Sequence, residues 1–94
     1  MNTKELVKRV AKETGATEGQ TNHLLKAIFK IITETIADKE RVVLTGFGTF
    51  YSVLRPYREM SGGKYGKIIV KEMQVPKFSP GKRLRKEVSK GRSK

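Results

Sequence analysis

Apolar residues recur at helical spacing as far as Ile36 and at a spacing of two from Val42 onward. That single change of period rules out both an all-helical and an all-strand chain. In the first stretch Leu6, Val7, Val10 and Ala11 share one helical face, with Asn2 or Thr3 placed to cap the helix, Glu5 three residues after Asn2, and Gly15 ending it. Thr17 starts a second helix with Gln20 at capping-box spacing. Leu24, Leu25, Ile28, Ile31, Ile32 and Ile36 then form one broad stripe, widened by Ala27 and Phe29, and the helix is predicted to run to about Asp38.

Beyond Arg41, Val42 and Leu44 alternate with Val43 and Thr45, Gly46-Phe47-Gly48 interrupts, and Thr49 to Arg55 is again extended. This predicts a hairpin whose glycines let the backbone turn while Phe47 and Phe50 enter the core. Residues 55–75 read as a long two-stranded ribbon with a flexible tip at Ser61-Gly62-Gly63-Lys64-Tyr65-Gly66, placing Ile68 and Val70 on one face and Lys67, Ile69 and Lys71 on the other. Val75-Pro76-Lys77-Phe78 closes the ribbon. Ser79 or Pro80 then opens a short helix with Leu84 and Val88 inward and Lys82, Arg83, Arg85, Lys86 and Lys90 on the remaining faces. The expected fold is α+β: two N-terminal helices, a short antiparallel sheet extended into a long two-stranded β-arm, and a short C-terminal helix. Residues 1–94 are expected to form one domain, 1–40 its helical dimerisation part and 41–94 its sheet, arm and basic helix.

Charge divides along the same boundary. Residues 1–40 hold 7 Lys+Arg against 6 Asp+Glu, whereas residues 41–94 hold 14 against 3, within a net charge of +12. A balanced half beside a strongly cationic half points to one part that builds a core and another that faces a polyanion, with nucleic acid the foremost candidate. At 94 residues the core is thin, so self-association is expected to bury what a monomer leaves wet. The stripe on the second helix supplies the apolar surface for it.

Other classes fit less well. The chain has no cysteine, which excludes disulfides and thiolate metal sites, and its apolar runs are too short to span a bilayer. His23 is the only histidine, and Glu59, Glu72 and Glu87 form no motif. No enzyme, metal, cofactor, membrane association or small-molecule substrate is therefore expected. Gly46-Phe47-Gly48 lacks a further glycine and a following helix, so it is no nucleotide-binding loop. Two helices joined by a Gly-containing turn also fit a helix-turn-helix, but Lys26 and Lys30 are the only cations on the second helix, and its stripe favours core and dimer interface.

In their order these segments resemble the bacterial histone-like family of HU and integration host factor, more nearly HU. The resemblance rests on two helices, Gly46-Phe47-Gly48-Thr49-Phe50, a basic ribbon through Arg55 and Arg58, and Val75-Pro76-Lys77-Phe78-Ser79-Pro80-Gly81-Lys82 before a short helix. It covers nearly the whole chain. It implies an intertwined dimer with β-arms in the DNA minor groove. It also implies arm contacts at Arg55 and Arg58, a saddle with Lys82 and Lys86 facing phosphate, and an aromatic core of Phe29, Phe47, Phe50 and Phe78. Charge and strand position add Lys64, Lys67 and Lys71 to the DNA-binding set, and Arg83 joins it from the terminal helix; Leu25, Ile28 and Ile32 join the dimer core.

The tip departs from the family, whose members carry Arg-Asn-Pro there with the proline wedged between base pairs. Here Ser61-Gly62-Gly63 stands at that place, and the return strand to Pro76 is about one residue short. Met60 or Tyr65 is the candidate replacement wedge, the alternative being a tip that grips the backbone alone. Pro56 belongs at a strand edge.

The function expected is that of a cytoplasmic, nucleoid-associated, largely sequence-independent architectural protein. Its partner is double-stranded DNA, with bent, nicked or junction forms preferred. A homodimer is expected, a heterodimer with a paralogue being the other arrangement. The alternatives are a sequence-specific bender like integration host factor and an RNA-binding basic protein, for whose aromatic platform only Tyr51, Tyr57 and Tyr65 are on offer.

Overall fold

The computed structural model describes residues 1–63 and 66–91, with residues 60, 61, 68 and 70 described by backbone alone. Two compact units emerge, Met1–Glu34 and Thr35–Lys94.

The first unit holds helix α1 (Thr3–Thr14) and most of helix α2 (Glu18–Ala37). Asn2 is the cap of α1, its Oδ1 accepting from the Glu5 amide at 2.9 Å, and Gly15 closes the helix at φ 80° with its amide donating to the Ala11 carbonyl. Thr17 and Gln20 complete a reciprocal box: Thr17 Oγ1 accepts from the Gln20 amide at 3.0 Å, and Gln20 Oε1 accepts from the Thr17 amide at 3.3 Å. Each side chain satisfies an amide that the helix start would leave orphaned. Val7, Ala11 and Thr21 are buried, yet on α2 Leu24 is 60% exposed and Ile28 and Phe29 are each 51% exposed. The stripe expected to form core and dimer interface is thus half-buried at Leu25, Ile32 and Ile36 and open at Leu24, Ile28, Phe29 and Ile31 on the single chain.

The second unit is built on a three-stranded antiparallel sheet, β1 (Val42–Leu44), β2 (Gly48–Arg55) and β5 (Met73–Pro80), in the order β1-β2-β5. Two further strands, β3 (Arg58–Ser61) and β4 (Lys67–Val70), pair only with each other, and helix α3 (Lys82–Lys90) follows the sheet. The β1–β2 turn closes through the Phe47 amide, which donates to the Leu44 carbonyl at 2.9 Å, with Gly46 at φ 85°. β2 and β5 pair along their full length, from Gly48 opposite Pro80 to Arg55 opposite Met73.

Three expectations are corrected here. The long ribbon is two ladders in series, because β2 ends at Arg55 where Pro56 has no amide to donate, and pairing resumes only at Arg58. Val75 to Phe78 accordingly belongs to the sheet. Pro80 ends β5 instead of opening the helix: the Gly81 amide donates to the Phe47 carbonyl at 2.8 Å, Gly81 becomes the N-cap, and α3 begins at Lys82. Finally, Leu84 is half-buried but Val88 is 70% exposed, so only the first turn of α3 presents an inward residue.

Phe50 and Phe78 face each other across the β2–β5 ladder with ring centroids 4.7 Å apart, and Phe47 stands 5.5 Å from Phe78. Tilted pairs at these distances add about 1 kcal/mol each beyond the area they bury. Phe47 remains 47% exposed, so the cluster is a surface ready to be covered rather than a closed core.

Candidate nucleic-acid interface

The cationic residues expected at the interface come from three consecutive places in the second unit. Arg55 ends β2, opposite Met73, and is exposed at the root of the β3–β4 arm. Arg58 opens β3 opposite Val70, and it too is exposed. Lys82, Arg83 and Lys86 lie on α3, which has no acidic residue in its first turn. Lys82 and Arg83 therefore sit beside the free amides of the helix start, where partial positive charge adds to their own and an anion is favoured. Arg83 has a second role. A Cβ built on Gly46 would stand 3.8 Å from Arg83 Nη1, so the guanidinium lies over the β1–β2 turn.

Of the two described lysines of the arm, Lys67 is on a strand as expected and Lys71 is not. Lys67 is in β4, and its Nζ lies 3.4 Å from Glu59 Oε1 across the arm, an exposed pair that offsets the local positive charge. Lys71 falls in the link between β4 and β5, where the ladder is broken, and not on a strand face. Lys64 and Tyr65 lie outside the described residues. Met60 pairs with Ile68 in the backbone ladder, but its side chain is outside the description as well. At the tip the Gly66 amide donates to the Gly63 carbonyl at 3.1 Å, and Gly63 has φ 61°. Proline is fixed near φ −65°, so this backbone excludes it at the very position where the resemblance expects one.

The expected dimer and core residues divide between the units. Leu25 and Ile32 are half-buried and Ile28 and Phe29 exposed on α2, whereas Phe47, Phe50 and Phe78 cluster on the sheet.

One arrangement escaped the sequence reading. Arg41 lies over the ring of Tyr51 at 5.6 Å from its centroid, and Tyr51 is paired with Lys77, so a cation, an aromatic ring and a cation cross the sheet in a row. The available signal was compositional: β1, β2 and β5 contain no Asp or Glu at all. Among the described residues no group of three or more His, Cys, Asp or Glu is placed to hold a metal ion, and no helix is long and apolar enough to cross a membrane.

A carboxylate-free sheet, a separate basic arm and a basic helix define a small α+β protein built to present cations to an extended anion. Residues 1–89 match the family described as bacterial DNA-binding protein. The chain is 39% identical over 89 residues to DNA-binding protein HU of Thermotoga maritima, a match that covers 94% of this chain and 99% of that one. It is 33% identical over 90 residues to integration host factor subunit beta of Herminiimonas arsenicoxydans, covering 94% and 89%. Among solved structures, an Anabaena HU–DNA cocrystal structure superposes with a TM-score of 0.85 at 37% identity, covering 95% of this chain and 98% of that one. The chain belongs to the bacterial DNA-binding protein family of HU and integration host factor, on the HU side of it.

Proposed function

We propose that this chain is a non-catalytic, largely sequence-independent architectural DNA-binding protein of the nucleoid, cytoplasmic, acting as a homodimer whose arms enter the minor groove of duplex DNA and bend or compact it. The observation that carries this proposal is the placement of charge. Residues 41–94 hold 14 Lys+Arg against 3 Asp+Glu, the described part of this segment builds the sheet, arm and helix, and the likeness to an HU–DNA cocrystal structure covers 95% of the chain. Each phosphate neutralised releases counterions, so affinity falls with salt at a log–log slope of about −0.9 per phosphate and is largely indifferent to sequence.

Dimerisation is supported by the open stripe of Leu24, Ile28 and Phe29, which a second copy would cover. Two chains at +12 each then bring +24 to the duplex. Arg55, Arg58, Lys67 and Lys71 with Lys64 serve the arm, and Lys82, Arg83 and Lys86 serve the phosphates beside the body. The tip grips without a proline wedge, which lessens the cost of unstacking a base step and favours DNA that is already bent, nicked or branched.

The test is a salt-dependent comparison of linear duplex, nicked duplex, four-way-junction DNA and duplex RNA. Tighter binding to nicked and junction DNA, with RNA weakest, is expected. Equal or tighter binding to RNA overturns the proposal. Sequence-specific binding, the alternative suggested by the likeness to integration host factor, requires one duplex sequence to outcompete others by orders of magnitude at fixed salt.

A further inference from the structure

Tyr57 stands where the β-ladder is interrupted. β2 pairs with β5 as far as Arg55 opposite Met73, and β3 pairs with β4 from Arg58 opposite Val70. Between the two ladders Pro56 and Tyr57 on one strand, and Lys71 and Glu72 on the other, belong to neither. Pro56 accounts for the gap: it has no amide to donate and its φ is held at about −65°, so pairing stops before position 57 and no cross-strand neighbour covers the tyrosine there. Tyr57 is 54% exposed, more than any other described aromatic residue. Phe47, Phe50 and Phe78 lie against one another, and Tyr51 lies under Arg41. Among the described residues neither a ring nor a cation is placed on the face of Tyr57.

An exposed apolar side chain on its own needs no explanation. This one is an aromatic ring held between two exposed arginines of the candidate interface, Arg55 and Arg58, with no acid among the four residues. We infer that Tyr57 is a stacking residue for a base left open at a gap in duplex DNA, so that recognition of discontinuous DNA is seated in the link between sheet and arm and not at the arm tip. The tip lacks the usual wedge, since Gly63 at φ 61° excludes proline. In an unbroken duplex every base is covered on both faces by its neighbours, and a ring in the groove finds nothing to stack on. Where nucleotides are missing, the last base pair has an open face. With Arg55 and Arg58 on the flanking phosphates, a tyrosine ring laid on that face replaces the lost stacking, whatever the base. This inference rests on the DNA-binding function proposed above, and it names the side chain behind a preference for interrupted DNA.

The full-length protein and three variants, Tyr57→Phe, Tyr57→Leu and Tyr57→Ala, are titrated across a salt series into one duplex, either intact or with a short gap. The unaltered protein and Tyr57→Phe, which keeps the ring, are expected to favour the gapped form alike. Tyr57→Leu and Tyr57→Ala are expected to lose about fivefold or more on gapped DNA and to stay within about twofold on the intact duplex. The salt slope is expected to be the same for all four, because no phosphate contact is removed. Undiminished gapped binding by either ringless variant, an equal loss on both DNA forms, or a Tyr57→Phe loss as large as that of Tyr57→Ala overturns the inference. Indifference of the unaltered protein to the gap would instead overturn the preference proposed for the function on which it rests.

Discussion

Ser52 Oγ donates a hydrogen bond of 2.8 Å to the carbonyl of Ile36 and accepts one of 3.1 Å from Gln74 Nε2. A carbonyl in the last turn of α2, which also accepts from the Lys39 amide at 3.1 Å, is thereby tied to the middle of β2 and through it to β5. Pro76 lies directly opposite Ser52, so the bond sits where the β2–β5 ladder lacks a donor. Replacing Ser52 with Ala removes both bonds from a part-buried site. We expect a loss of about 1–2 kcal/mol, measured by urea unfolding at fixed protein concentration. A variant as stable as the parent would show that the helix end is held by other means.

Gly48 and Gly19 predict opposite outcomes for the same substitution. A Cβ on Gly48 would stand 2.6 Å from both the Phe78 ring and the Ser79 carbonyl oxygen, so Gly48→Ala forces β5 away from β2. That is expected to cost about 3 kcal/mol. On Gly19, in the first turn of α2, the nearest atom is Thr17 Oγ1 at 3.9 Å, and Gly19→Ala should stabilise by roughly 0.5 kcal/mol through the unfolded chain. Thermal unfolding of the pair checks both signs.

Thr17→Ala removes the acceptor for the Gln20 amide and leaves Gln20 without its reciprocal frame. A loss of about 1 kcal/mol is expected, with Thr17→Asn restoring most of it. Equal stability of all three proteins by denaturant titration would show that the box is dispensable.

Glu59 holds Lys67 at 3.4 Å with both side chains well exposed. Such a pair contributes about 0.5 kcal/mol or less to stability, so its consequence is felt in binding. Glu59→Gln should leave the melting temperature unchanged, tighten duplex binding a few-fold at low salt, and steepen the salt slope by about 0.9 as Lys67 is released to a phosphate. An unchanged slope would mean that Lys67 already faces DNA despite its carboxylate.

How much of this was legible in the chain depended on how far apart the deciding residues stand. Asn2 with Glu5 and Thr17 with Gln20 act over three residues, so both caps were readable, as was the β1–β2 turn at Gly46. The start of α3 was not. Pro80 suits a helix start and an edge strand equally, and the choice falls to the strand because the Gly81 amide meets the Phe47 carbonyl far back in sequence. The break of the ribbon at Pro56 was half visible: proline marked an edge, but only the Arg55–Met73 and Arg58–Val70 registers locate the gap. Which cation Glu59 meets was not legible, because the diagonal approach of Lys67 depends on the arm register. The Arg41–Tyr51–Lys77 row needs three strands aligned at once.

The central claim is engagement of the DNA minor groove, and competition within the groove tests it most directly. Binding of the full-length protein is measured to one duplex in three forms: unmodified, with its minor groove filled by a tight small-molecule groove binder, and with bulky groups attached in its major groove. The account predicts strong loss of binding when the minor groove is filled and near-parent affinity when the major groove is blocked. Retention with a filled minor groove, or loss with a blocked major groove, would contradict it.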